Sequence, residues 1–344
     1  MSDLLDRPVI WGVLGVSGHY RKRCSVALRQ SPLLHMRAIS SRSADRARAA
    51  AAEFGMDVGY GGYEELLADP DIEAVYIPLP NHMHLEWVRR AADAGKHILC
   101  EKPLGLNAEE VQEAIDYTQA KGVLLMEAFM YRFHPQWVAA RDLVAADEIG
   151  TVQAVHAHFF YRNTNPGDIR NQPEAGGGGI LDIGCYAVSS SRLLMGREPR
   201  RVLAQIDWDP SFGTDRLASG LLDFGDGAHG TFSVGTQTFG QQMVQAFGTG
   251  GSLRVELPFN AYPDVALRVH VATGIGERDI MSPAVDQYRL QFEAFSAAVR
   301  SGGPVPTPLD DALANQQVLD ALFASARSGG WVELPAAAGG TKER

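Results

Sequence analysis

The sequence predicts an α/β chain of two domains: a doubly wound parallel sheet over residues 1–128, then an α+β domain with a large, mostly antiparallel, open-faced sheet over residues 129–344. Three observations predict it. At 344 residues the chain is too long for one ordinary core. Strand and helix patterns alternate through its first third, as a parallel sheet with crossover helices requires. From Thr151 onward the runs alternate polar and apolar residues, the pattern of antiparallel strands with one exposed or partner-covered face.

Taken in order, Val9 to Gly15 reads as a short apolar strand, Val16-Ser17-Gly18 as a turn and His19 to Gln30 as a helix. Strands follow at His35 to Ser40, Ala74 to Leu79, Ile98 to Glu101 and Val123 to Glu127. Helices are expected at Ala44 to Phe54, Tyr63 to Ala68, His82 to Ala94 and Asn107 to Lys121, the last two stopped by Gly95 and Gly122. An aromatic and polar stretch, Ala128 to Gln136, marks the domain boundary and leads into a helix reaching Ala146. The second domain offers strands at Thr151–Tyr161, Arg201–Trp208, Arg216–Phe224, Gly230–Thr238, Gln242–Gly248 and Gly251–Leu257. Helices Val285–Ser301 and Leu309–Arg327, a short Trp331–Leu334 strand and a Gly-Gly-Thr-Lys-Glu-Arg tail expected to be disordered close the chain.

Composition narrows the partners. Hydrophobic residues make up 45% and charged residues 21%, as in globular proteins, and the net charge of −10 argues against nucleic-acid or anionic-membrane binding. Cys24, Cys100 and Cys185 are few, odd in number and set in apolar segments, which reads as reduced thiols in a cytoplasm. MSDLLDRPVI lacks the pattern of a secretory leader, and no run approaches the length of a membrane span.

Four stretches carry chemistry. The first is the turn after the first strand, where a dinucleotide pyrophosphate would rest on a helix start. Of the G-x-G-x-x-G pattern only Gly15 is in place; Ser17 and Tyr20 hold the other two positions, so Gly15, Val16 and Ser17 are expected to meet the pyrophosphate, or to form an ordinary turn. At the end of the second strand, an acid would bind ribose hydroxyls. Here stand Ser41, Arg42 and, further on, Arg46, a donor set suited to a 2′-phosphate, so NADP is expected with NAD as the alternative. Next, Ile98-Leu99-Cys100-Glu101-Lys102-Pro103 is an apolar strand ending in charge, either a ligand crevice with Lys102 at the chemistry or a solvated surface turn. Finally, Gly176 to Gly179 precede a helix on which Asp182 and Tyr186, four apart, share a face. A lysine ammonium beside Tyr186 would make its phenol a usable proton acceptor; otherwise Tyr186 is a core aromatic and Asp182 a helix-start carboxylate.

Together, ILCEKPL, the preceding YIPLPNHMHLEWVRRAADAGKH, the following MEAFMYRFHPQ and the GGGGILDIGCY run resemble the glucose-fructose oxidoreductase, inositol dehydrogenase and MocA (Gfo/Idh/MocA) family. Of its branches, the similarity is closest to NADP-dependent aldose (xylose) dehydrogenases, glucose-fructose oxidoreductase and dimeric dihydrodiol dehydrogenase. The resemblance implies a Rossmann domain, hydride transfer between nicotinamide and a sugar, polyol or diol, and a homodimer or tetramer formed through the open sheet. It implies that Glu101 and Lys102 lie beside the nicotinamide with a cis bond before Pro103, that Leu79, Pro80, Asn81 and His84 line the nicotinamide ribose, and that Asp182 and Tyr186 complete the catalytic site. Arg162, Asn163 and Arg170 would border the substrate. His19 and Tyr20 depart from the family, and Tyr20 is expected to crowd the pyrophosphate turn, which would favour a cofactor sensor without turnover. Dihydrodiol oxidation or carbonyl reduction on the same residues is the alternative enzyme reading. The His82-x-His84 and His156-x-His158 pairs lack further ligands, so no metal is expected, and no G-x-S-x-G elbow marks a hydrolase.

Overall fold

A computed structural model describes residues 7–335; the expected disordered tail lies outside the described residues. The chain forms two compact units, one containing residues up to Phe133 and Asp286–Leu313, the other His134–Val285 and the residues from Ala314. A late segment, Asp286–Leu313, belongs to the first unit.

The first unit holds a six-stranded sheet: β1 (Val9–Leu14), β2 (Leu34–Ser40), β3 (Val58–Tyr60), β4 (Ala74–Ile77), β5 (His97–Glu101) and β6 (Leu125–Ala128). All pair in parallel, in the order β3-β2-β1-β4-β5-β6. The order reverses between β1 and β4, and doubly wound sheets bind ligands beyond the carboxyl ends of their strands at such a point. Burial explains the strand sequences: Ala74 to Ile77 and Ile98 to Cys100 are all fully buried, as strands covered on both faces must be. β3 escaped expectation because three residues show no periodicity. It packs closely on the helix Ala44–Phe54, since a Cβ on Gly59 would lie 2.4 Å from the Ala47 backbone.

The expected helix His19 to Gln30 opens instead as a π turn, Tyr20–Cys24, before α1 (Ser25–Leu28). α2 (Ala44–Phe54) starts on Ser43, whose hydroxyl accepts from the Arg46 N–H, and α3 (Tyr63–Leu67) follows. α4 (His84–Asp93) follows a short 3₁₀ turn at Asn81–Met83. In α5 (Ala108–Lys121) the Asn107 side chain accepts from the Glu110 N–H, while Glu110 reaches back to the Leu106 N–H.

In the second unit, α6 (Pro135–Ala145) and α7 (Cys185–Met195) accompany a nine-stranded sheet. Its strands are β7 (Val152–Arg162), β8 (Arg201–Trp208), β9 (Asp215–Gly225), β10 (Ala228–Gly235), β11 (Gln237–Gly248), β12 (Gly251–Val255), β13 (Leu267–Thr273), β14 (Gly276–Ser282) and β15 (Val332–Glu333), ordered β14-β13-β12-β11-β7-β10-β9-β8-β15. Among the described strands of this second sheet, only β7 and β10 pair in parallel. β13 and β14 were not expected. β14 is an edge strand reading Gly-Glu-Arg-Asp at its start, and charge on an edge hides the apolar alternation while it blocks edge-to-edge pairing.

The segment that returns to the first unit is α8 (Gln287–Ser301), followed by α9 (Leu309–Ser328), whose residues divide between the units after Leu313. Phe292 and Phe295 of α8 pack against Trp11 at centroid distances of 4.8 and 5.7 Å, and the Trp11 indole donates to Ser296 Oγ at 3.2 Å. At the end of α8, Arg300 grips both Glu73 oxygens (2.8 and 2.6 Å) and donates to the carbonyls of Arg7 and Pro8. Burial would raise the Glu73 carboxyl, but the Arg300 hydrogen bonds, the Ile10 N–H and the Arg300 and Arg7 charges hold it down at about 2. With a folded value below the unfolded one, this carboxylate stabilises the fold above about pH 4.5 and loses that contribution as pH falls toward 2. Arg300→Met should therefore cost about 1–2 kcal/mol at pH 7, the exposed part of the pair being screened, and should flatten the acid limb of stability below pH 4.5 in denaturant titrations.

Candidate active site

The turn after β1 depends on Gly15, whose φ of +103° is closed to most side chains and whose Cβ would sit 2.9 Å from Leu79 Cδ2. Its N–H donates to the Ser40 carbonyl, and Ser17 Oγ accepts from the Tyr20 N–H at 3.0 Å. Beside Gly18 the space is open. Tyr20 does not crowd this turn: its side chain is 1% exposed and lies in the core, edge-on to Phe54 at 5.4 Å and 6.2 Å from Tyr76. The π turn that starts at Tyr20 inserts an extra residue where the third glycine would otherwise let helix and strand close up.

Around this turn the structure gathers the expected residues of the β2 end. Arg46 donates to the Val16 carbonyl at 2.8 Å, Arg42 is exposed, and Ser41 Oγ accepts from the Ser43 N–H. Tyr63, expected only as the first residue of a short helix, joins them: its hydroxyl lies 3.7 Å from the position of a Gly15 Cβ, and burial raises its phenol against the lowering charges of Arg42 and Arg46. These groups suit a dinucleotide, with a tight glycine turn for the pyrophosphate and cationic donors at the adenosine end.

The β5 end brings a second group together. Glu101 accepts from the Tyr76 hydroxyl at 2.6 Å and lies 3.6 Å from His19 Nε2, so His19 belongs to this cluster. Lys102, half-buried, follows, and the Lys102-Pro103 peptide is cis, as the resemblance implied. His84 is fully buried, with Nδ1 2.8 Å from the Pro103 carbonyl and Nε2 2.9 Å from the Leu79 carbonyl. The ring thus lies between the Leu79-Pro80-Asn81 loop and the Lys102-Pro103 turn, and in its neutral form donates to one of the two carbonyls. Burial lowers its basicity, while the two carbonyls act the other way. The Leu104 N–H donates to Glu127 and anchors the far side of the turn.

In the second unit, Asp182 lies in a π turn (Ile180–Gly184) that runs into α7, where Tyr186 stands. Asp182 thus stands on the π turn and Tyr186 on the first turn of α7. Asp182 Oδ2 accepts from the Tyr161 hydroxyl at 2.7 Å and from Arg170 Nε at 3.1 Å, and Arg170 also pairs with Asp168. The Asp182 carboxylate raises Arg170 further above its already high value, and burial followed by Asp182 raises Tyr161. Tyr161 was missed, although strand parity signals it: with Val155, Ala157 and Phe159 it occupies the buried face of β7. Tyr186, 5% exposed, lies against Phe159 and Phe259 with centroids at 5.9 and 5.2 Å. Arg162 is exposed, and the Asn163 N–H donates to the Thr236 carbonyl.

Cys24, Cys100 and Cys185 are buried free thiols. Among the described residues, no cluster of three histidine, cysteine or acidic side chains is placed to hold a metal, and no helix is long and apolar enough to cross a membrane.

Comparison with known proteins gives this geometry a family. Residues 9–129 match an oxidoreductase family with an NAD-binding Rossmann fold, and residues 137–254 match the GFO/IDH/MocA C-terminal domain. The chain is 40% identical over 328 residues to D-xylose 1-dehydrogenase (NADP(+)) 2 of Haloferax volcanii, covering 95% of this chain and 100% of that protein. It is 36% identical to dTDP-3,4-didehydro-2,6-dideoxy-alpha-D-glucose 3-reductase of Streptomyces violaceoruber over 85% of each. KijD10, a 3-ketoreductase from Actinomadura kijaniata solved with NADP and TDP-benzene, superposes with a TM-score of 0.87 at 31% identity, over 92% of this chain and 98% of that one. Its K102A and Y186F mutants have also been solved. The chain belongs to the Gfo/Idh/MocA family of NAD(P)-dependent oxidoreductases.

Proposed function

We propose that this chain is an NADP-dependent dehydrogenase of the aldose type, acting on a hydroxyl carbon of a cyclic sugar or polyol in the cytoplasm. The observation that carries the reading is Lys102 directly after β5, whose Ile98, Leu99 and Cys100 are fully buried, in the same sheet whose β1 ends in the Gly15 turn. The 40% identity to a xylose dehydrogenase supports the substrate class. KijD10 supports the pair of residues, because lysine and tyrosine also stand at 102 and 186 here.

In this proposal residues 1–128 hold the dinucleotide and 129–344 the substrate. Gly15, Val16 and Ser17 receive the pyrophosphate, Ser41, Arg42 and Arg46 the adenosine phosphate, and Leu79, Pro80, Asn81 and Glu101 flank the nicotinamide half. When bound, oxidised NADP supplies the hydride acceptor. Tyr186, held as a phenolate by the Lys102 ammonium, takes the hydroxyl proton and becomes the neutral phenol as the carbinol C–H bond breaks, and Lys102 also orients the hydroxyl. Asp182, oriented by Tyr161 and Arg170, accepts a hydrogen bond from a neighbouring substrate hydroxyl. Arg162 and Asn163 border the substrate, and homo-oligomers form through the open sheet.

The similarity to dTDP-sugar 3-reductases favours a second reading, reduction of a keto-sugar on the same residues. Mixing the protein with NADP and a panel of aldoses, inositols and dihydrodiols, or with NADPH and keto-sugars, and following absorbance of the reduced cofactor tests both. Oxidation of aldoses is expected to be fastest; turnover confined to keto-sugars would replace the first reading with the second.

Lys102→Ala and Tyr186→Phe are each expected to lower kcat by about 10²- to 10⁴-fold with little change in the Kd for NADP, and undiminished turnover would remove the residue from its role. Arg42→Ala should weaken NADP about tenfold or more and leave NAD almost unchanged, as read by nucleotide titration; tighter binding of NAD than of NADP by the wild type would refute the assignment of Arg42.

A further inference from the structure

We propose that Asp215 is a positioning residue for turnover: its buried carboxyl clamps the start of the helical segment that carries Asp182 and Tyr186. The inference rests on the roles given above to those two residues. Asp215, the first residue of β9, is 2% exposed, and its Oδ2 accepts from the Ile180 N–H at 2.6 Å, two residues before Asp182. The Gly179 N–H and the Asp215 N–H also bond to this carboxyl.

The glycine run is shaped around this contact. Gly178 has φ +117°, and a Cβ there would fall 1.9 Å from Asp215 Oδ1. A Cβ on Gly177 would fall 2.6 and 2.7 Å from the Arg170 and Ile169 carbonyls, and the Gly178 N–H donates to the Arg170 carbonyl at 2.9 Å. Two attachments therefore meet at one helix start: the carboxyl of Asp215, and the loop whose Arg170 side chain binds Asp182.

A helix start needs acceptors for its free N–H groups, and serine or asparagine supplies one without burying a charge. A buried carboxyl is the costly choice. Burial pushes Asp215 up to about 7; the N–H groups of Ile180, Asp215 itself and Gly179 pull it down, and Asp182 pushes it up. The titratable groups around it are Asp182 on the same turn and, from the loop and β7, the Arg170 and Tyr161 that hold Asp182. Because the folded value lies above the unfolded one, stability from this group is full at low pH and is lost as pH rises toward and through 7. Retaining an anion that opposes folding fits a residue kept for the geometry and field at Asp182.

The test uses the full chain and its Asp215→Asn variant, which preserves shape and one acceptor oxygen. The Kd for NADP should stay within about twofold, kcat should fall about 10- to 100-fold, and a kcat limb centred near pH 7 in the wild type should vanish in the variant. Wild-type kcat in the variant, or a uniform loss that keeps the limb, would overturn the proposal. Should the variant fail to fold, the Ile180 amide resonance of the wild type decides the matter: a midpoint near pH 7 that tracks kcat supports it, and a midpoint near 4 refutes it. Failure of the functional reading looks different, since the wild type itself would then turn over no sugar, diol or keto-sugar.

Discussion

A strand covered on both faces has no room for charge except where it ends, and the first unit is arranged by that constraint. Ile98, Leu99 and Cys100 are fully buried, and Glu101 and Lys102 follow at once. The two ends of the sheet divide the work. Near the amino ends of β1 and β4, Glu73 and Arg300 fasten a late helix to the strands. At the carboxyl ends, Gly15, the residues after Ser40, the loop after Ile77 and the Lys102-Pro103 turn emerge side by side in the β2-β1-β4-β5 order. The buried His84 ring fills the space between two of these loops, within hydrogen-bond distance of a backbone carbonyl of each, next to the turn that carries Lys102.

Each unit has a helix that opens with a π turn, Tyr20–Cys24 in one and Ile180–Gly184 in the other. An extra residue in the first turn changes which side chains face the strand below. In the first case it lets an aromatic ring enter the core where a glycine would otherwise pack. In the second, Asp182 on the turn is tied to Tyr161 and Arg170, and Tyr186 on the helix that follows lies against the stacked rings of Phe159 and Phe259.

Much of this was legible from local sequence. The parallel sheet showed itself through alternating strand and helix patterns, and the second sheet through polar and apolar alternation from Thr151. What escaped depends on contacts between distant residues. β3 is too short to show a period, and β14 conceals its pattern under edge charge. Tyr20 looked like an obstruction because sequence spacing gives its position but not the direction of its side chain. His84 was assigned to a ligand, and only the fold shows both nitrogens meeting backbone carbonyls. Asp215 carries no local signal at all, since its partner Ile180 lies 35 residues away in the chain.

The contact between Gly15 and Leu79 has a consequence for how this chain can vary. A side chain at 15 would press on Leu79, the residue whose carbonyl faces His84 and whose loop leads to Pro80 and Asn81. The tight turn and the neighbouring loop therefore form one heritable unit, in which a change on one side must be answered on the other. Arg42, exposed on the adjoining strand end, has no such obligation. Under the proposed assignment of Arg42 to the adenosine phosphate, divergence in coenzyme preference can proceed there by single steps, while the Gly15–Leu79 contact resists piecemeal change.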